Sequence, residues 1–107
     1  MNEMSKRSRV RITVLRRFEP SEVFSESPVT PSGTLDACDV YRDGQIFTVE
    51  ENGRMPDGFC TSAWNAIFPS VRVLSFGGNA PWYREKGVSV ECCTDGLRPV
   101  VFKLERI

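Results

Sequence analysis

The sequence predicts an α+β domain with a mainly antiparallel sheet, and three observations predict it. Short alternating apolar runs stand early and late in the chain, one central segment carries a helical stripe, and strand-helix-strand units do not repeat. A chain of 107 residues fits a single domain, 1–107, able to remove roughly two thirds of its unfolded surface from water.

Val10 to Leu15 alternates apolar and polar side chains, the period of a half-buried strand, and Phe18 closes it before Pro20. Ser25 to Thr34 is rich in Ser, Pro and Thr with almost no apolar content, so it reads as a loop. Asp43-Gly44 turns into Ile46-Phe47-Thr48-Val49, a second strand that stops at Asn52-Gly53, a dipeptide suited to positive φ. Pro56-Asp57-Gly58 then precedes the principal helix, with Asp57 the expected cap for its first amides. Cys60, Ala63, Trp64, Ile67, Phe68 and Val71 recur at helical spacing and share one face, which must be buried. Pro69 has no amide hydrogen and crowds the preceding turn, so the helix is expected to kink or break there, then restart and end at Gly77-Gly78. Residues 88 to 93 and 100 to 105 form an expected hairpin about Thr94-Asp95-Gly96, with Val100, Phe102 and Leu104 on its core side. Residues 1–8 read as a flexible tail.

Charge is balanced overall but segregated along the chain. Residues 1 to 17 hold Lys6, Arg7, Arg9, Arg11, Arg16 and Arg17 against Glu3, whereas residues 18 to 57 hold nine acids against Arg42 and Arg54. Such an arm could neutralise phosphates, but no nucleic-acid-binding motif or set of stacking aromatics accompanies it. Arg9, Arg11, Arg16 and Arg17 sit beside or between Val10, Ile12, Val14 and Leu15, so the preferred reading is the wet side of a strand facing the acidic segment, and nucleic acid is not the expected partner. No secretory apolar block and no membrane-length apolar run is present, which makes the expected setting cytoplasmic, with reduced thiols.

Four cysteines and no histidine decide which chemistry the chain can carry. Ser-His and Cys-His nucleophile pairs are excluded, and thiols become the best reactive groups. Cys60, placed in the first helical turn, lies where amide partial charge favours a thiolate; it also begins the apolar stripe, so a structural role competes. Cys92 shares strand parity with Val88 and Val90 and is expected in the core, leaving Cys93, at the strand end, as the functional choice. Cys38, in Asp36-Ala37-Cys38-Asp39, has no periodicity to demand it. Together Cys38, Cys60 and Cys93 are candidate metal ligands for zinc, copper(I) or an iron-sulfur cluster, with Cys92, Asp39, Asp95 or water as a fourth donor. No closely spaced cysteine pair of the usual zinc type supports that set, so reduced thiols for redox or sulfur transfer, and plain structural cysteines, remain alternatives.

The remaining candidates are weaker. Asp57 is better explained as a cap and Asp95 as a turn former than as catalytic bases, and Gly77-Gly78-Asn79 follows a helix instead of opening one, unlike a phosphate loop. Trp64 reads as core. Trp82, between Pro81 and Tyr83, either lines a pocket or a homo-oligomer contact, or pins its own loop.

From about Val10 onward the chain resembles a family of small, functionally uncharacterised prokaryotic cysteine-motif proteins, found as single units or as repeats in longer chains. The resemblance rests on Cys38, on Pro56-Asp57-Gly58-Phe59-Cys60 with Ala63, on Phe76-Gly77-Gly78 and Pro81-Trp82, and on Cys93-Thr94-Asp95-Gly96 leading to Pro99-Val100-Val101-Phe102-Lys103-Leu104. It implies that Cys38, Cys60 and Cys93 are the cysteines of interest and implies no activity. The chain departs from the family pattern after Cys38, where it has Asp39-Val40-Tyr41-Arg42-Asp43-Gly44 in place of a glycine-rich stretch, and at Thr94, where the family commonly has proline. The expected function is therefore a soft-metal or thiol site made of separated cysteines, the alternative a non-enzymatic oligomerisation or ligand-binding module with structural cysteines.

Overall fold

In the computed structural model, which describes residues 6–107, the first alternating run becomes β1 (Val10–Arg17). Val10, Ile12 and Val14 are fully buried on one face while Arg11 and Leu15 stay exposed on the other. A short helix, α1 (Pro20–Val23), follows, with proline at its start and a reciprocal capping box between Glu19 and Glu22. That turn of helix was not anticipated. β2 (Ile46–Val49) has the expected bounds, entered through Gly44 at φ +83° and left through Gly53 at φ +74°. After α2 (Thr61–Ser75) come β3 (Val88–Cys92) and β4 (Val100–Arg106), the expected hairpin.

The four strands form one antiparallel sheet in the order β2-β1-β4-β3, so the first and last strands are its central pair. Val10 faces Arg106 and Val14 faces Phe102, with a register irregularity between Val14 and Arg16. α2 covers one face, burying Ala63, Ile67, Val71 and Leu74 against Val10, Ile12, Val14, Val49, Val100, Phe102 and Leu104. Each such large aliphatic or aromatic side chain removed from water contributes about 1.5–3 kcal/mol. The α+β class with a mainly antiparallel sheet is therefore the observed one.

Two expectations about the helix are corrected. α2 runs continuously through Pro69, which sits on its exposed side, where the Asn65 carbonyl that loses its helical donor is also at the surface. Water can satisfy that carbonyl, so proline is tolerated where a buried position would break the helix. The amino-terminal cap is Cys60, not Asp57, which lies in the preceding turn; Gly58 there has φ +79°.

At its other end α2 stops as the double glycine suggested. Gly77, at φ +91°, donates to the Leu74 carbonyl at 3.0 Å and Gly78 donates to Val73 at 2.8 Å, the paired bonds of a Schellman stop. A Cβ at Gly78 would lie 3.0 Å from the Val73 carbonyl oxygen, so the second glycine permits close packing. The tail expectation over residues 1–8 falls mostly outside the described residues. Arg7 and Ser8 are tied down: Arg7 stacks over the Phe76 ring at 4.7 Å and donates to the Asn52 carbonyl, and the Ser8 amide donates to Ser75 at 2.8 Å.

The segregated charge resolves into contacts across the fold. Arg9 meets Glu51, Arg16 meets Glu22, and Arg17 meets Asp43. All three pairs are at least partly exposed, so water screens them and none is a main source of stability. Among the described residues no helix is long and apolar enough to cross a membrane.

Candidate functional site: a cavity lined by three cysteines

The amino end of α2 meets the end of the β3–β4 hairpin and the loop before β2, and a cavity of about 250 Å³ lies between them. Cys38, Cys60 and Cys93 all line it, together with Val40, Tyr41, Ser62, Ala63, Thr94, Asp95, Arg98 and Val100. The three thiols come from three segments far apart in sequence, and each is partly buried against the core. Cys92 is not among them. It is exposed, which corrects the expectation that it belongs to the core. The parity with Val88 and Val90 holds, but that side of β3 is the open face of the sheet; Ser89 and Glu91 take the helix side opposite Leu104 and Phe102.

Each cysteine is held by a different device. Cys60 is the residue at which the chain enters α2: its carbonyl accepts from the Trp64 amide at 2.8 Å, and its own amide donates to the Tyr41 hydroxyl at 3.0 Å. Its thiol makes no capping bond, so the sulfur is not spent on the helix. Cys93 lies just beyond β3, where its amide donates to Val100 at 3.0 Å and the Val100 amide donates back to its sulfur at 3.3 Å. A fixed backbone donor thus orients that Sγ. Cys38 is anchored by its carbonyl, which accepts from Arg17 at 3.0 Å, while the same guanidinium grips Asp43 at 3.1 Å.

Tyr41 is the organising side chain. It is 2% exposed and touches three phenylalanines, with ring centroids 5.9 Å from Phe47, 5.3 Å from Phe59 and 5.3 Å from Phe102. Burial pushes its hydroxyl up to about 12; the bond from the Cys60 amide opposes the shift, and the neighbouring thiols of Cys60, Cys38 and Cys93 add to it. The phenol stays neutral at ordinary pH. It serves as a polar post in an apolar wall, satisfied by a backbone donor. Sequence reasoning missed it, because one aromatic in a polar coil carries no periodicity.

Asp95 and Arg98 close the rim. The Asp95 carboxylate accepts from the Leu97 amide at 2.9 Å, the Arg98 amide at 3.1 Å and the Arg98 guanidinium at 3.2 Å. Burial alone would raise its pKa, but those donors outweigh burial and hold the carboxyl below its ordinary value. Asp95 is therefore an ionised turn former, and Arg98 a cation it fixes beside the thiols. Asp39 and Asp57 do not line this cavity.

The arrangement offers three soft donors, a fixed guanidinium and the amide end of a helix around one space. Among the described residues, no group of three or more Cys, Asp or Glu side chains is gathered closely enough to hold a metal ion. The candidate set of Cys38, Cys60 and Cys93 thus shares a cavity without forming a ready coordination sphere.

Fold and site together define a two-layer α+β domain with a thiol-lined cavity at one end of its principal helix. Comparison of the chain with protein-family models, curated proteins and solved structures finds no match in any of the three.

Proposed function

We propose that this cavity is a thiol site, in which Cys38, Cys60 and Cys93 act jointly on a thiophilic partner, either a soft metal ion or a small disulfide. The observation that carries the reading is the convergence of these three cysteines, with Cys92 excluded. All four cysteines are free, as a cytoplasmic setting would keep them. The three donors do not form a preformed metal centre, so binding a metal and closing an internal disulfide both require the thiols to draw together. A cavity thiolate would attack one sulfur of a low-molecular-weight disulfide and expel the other half as a thiolate. A second cavity thiol would then displace the remaining half, leaving an internal disulfide and two released thiols. The suggested kinship with small prokaryotic cysteine-motif proteins belongs to the same reading, since its motif residues Cys38, Cys60, Ala63 and Cys93-Thr94-Asp95 line the cavity.

The test has two arms. The folded protein is incubated with oxidised glutathione and mapped by mass spectrometry, and anaerobically purified protein is analysed for zinc, copper, iron and acid-labile sulfide. Support is an internal disulfide between two of Cys38, Cys60 and Cys93, or a metal lost on Cys60→Ser and Cys93→Ser but kept on Cys92→Ser. Reaction confined to Cys92, together with metal-free protein, overturns the proposal.

A second reading, a homo-oligomerisation module, is favoured by Trp82, which is 75% exposed with Tyr83 at 5.9 Å between ring centroids. Light scattering tests it: a Trp82-dependent dimer supports it, and a monomer at high concentration rules it out.

A further inference from the structure

The opposite end of α2 holds a second, smaller cavity of about 150 Å³. Its walls are mainly apolar, formed by Val73 and Leu74 of the helix and by Ala80, Pro81 and Trp82 of the loop after it; Ser70, Asn79 and Ser89 are its neutral polar members and Glu91 its one charged lining residue. Glu91 occupies a position where the other strands carry core residues. It faces Phe102 across the ladder, and the helix side of β3 reads Ser89 and Glu91 where β1 reads Val10, Ile12 and Val14. The side chain is half-buried there, so its carboxylate meets both the cavity and water. Ser89, itself buried, donates its hydroxyl to Glu91, but among the described residues Glu91 forms no ion pair. Arg106 is committed elsewhere: it donates to the Leu74 carbonyl at 3.2 Å, the Gly78 carbonyl at 2.6 Å and the Asn79 side chain at 2.9 Å.

We infer that this cavity binds an alkylammonium group, with Glu91 as its counter-ion and the indole of Trp82 as its outer wall. The chemistry follows from the lining. A cation gains from a carboxylate and from an aromatic wall at once, while its alkyl stem matches Val73, Leu74, Ala80 and Pro81. The volume sets the size, because cavities for drug-sized ligands run roughly 300–1,000 Å³, and this one suits a single side-chain-sized group. Exposure of Trp82 also fits, since an indole left in water beside an apolar cavity gains burial when the cavity fills. The inference is independent of the cysteine cavity, which shares none of these residues.

The experiment is a titration of the intact chain, followed by amide and indole NMR shifts. The probes are butylammonium, butyltrimethylammonium, acetyl-lysine methylamide and, as neutral control, butan-1-ol. Shifts at Ser89, Glu91 and the Trp82 indole, with Trp64 unmoved, are expected from the ammonium probes and not from the alcohol. The tighter of the free amines and the lysine derivative identifies the source of the group, a small amine or a partner's side chain. Glu91→Gln should weaken binding about tenfold or more, as loss of a charge-assisted contact does. Trp82→Ala, at an exposed position, should weaken it several-fold without unfolding the chain. Equal response to butan-1-ol, unchanged affinity in a folded Glu91→Gln protein, or no response to any probe overturns the inference.

Discussion

The two ends of α2 are built in opposite ways. The amino end depends on side chains from remote segments: Tyr41 accepts the Cys60 amide, and Phe59 stacks on Tyr41, Phe47 and Phe102 at centroid distances of 5.3, 5.0 and 5.4 Å. The carboxyl end is stopped by its own backbone, through the Gly77 and Gly78 bonds, with Arg106, Arg7 and Ser8 as clamps from outside it. The difference shows where chemistry can be placed. Long-range packing gathers thiols that local structure could never bring together, whereas a local stop leaves a small apolar hollow beside one carboxylate.

Four substitutions would break or sharpen that contrast. The largest effect is expected from Phe59→Ala, which removes the hub of the aromatic cluster and should cost about 3–5 kcal/mol in urea unfolding. Alkylation of Cys38, Cys60 and Cys93 should quicken in that variant while the Trp82 signal stays put; a uniform change at both ends would erase the distinction. Tyr41→Phe strips the acceptor from the Cys60 amide and should cost about 1–3 kcal/mol. It also carries a pH signature. Because the folded hydroxyl titrates at about 12 against an ordinary 10.0, the unfolded chain loses its proton first, so wild-type stability falls as pH rises from 10.0 toward about 12. That slope should flatten in Tyr41→Phe, and a denaturation series from pH 8 to 11 would read it.

At the other end Gly77→Ala forces an alanine into the left-handed region and should cost about 1–2 kcal/mol, leaving cysteine alkylation rates unchanged. The smallest effect is expected from Asp95→Asn, under about 1 kcal/mol at neutral pH because the Asp95–Arg98 pair is partly exposed. Its sign with pH is set by the lowered carboxyl: the contribution is present above the ordinary carboxylate range and is lost as pH falls through the folded value. Wild type and variant should therefore converge in acid, which thermal melts at pH 7 and pH 3 would check.

Local signals in the sequence were reliable where a single segment decides the outcome. The apolar period of β1, the turns around β2, the final hairpin and the Gly77-Gly78 stop were all readable, because each rests on neighbours in the chain. Pro69 misled because its cost depends on which side of the helix meets water. Cys92 misled because alternation separates two faces without saying which one the helix covers, and on β3 the apolar valines point away from it. Cys38, Cys60 and Cys93 could be singled out, yet their convergence depends on Tyr41 and on the placement of the loop before β2, which no spacing encodes.

Placing β1 beside β4 at the centre of the sheet has a kinetic consequence. The contacts Val10 to Arg106 and Val14 to Phe102 close loops spanning most of the chain. That entropy must be lost before the two central strands reward it, which slows folding relative to a domain built from local contacts. During synthesis, β1 must wait for nearly the whole domain to emerge before it meets its main partner. Over that interval β1 has only β2 beside it and its other edge is open, flanked by Arg9, Arg11 and Arg16, charges of the kind that discourage edge-to-edge pairing.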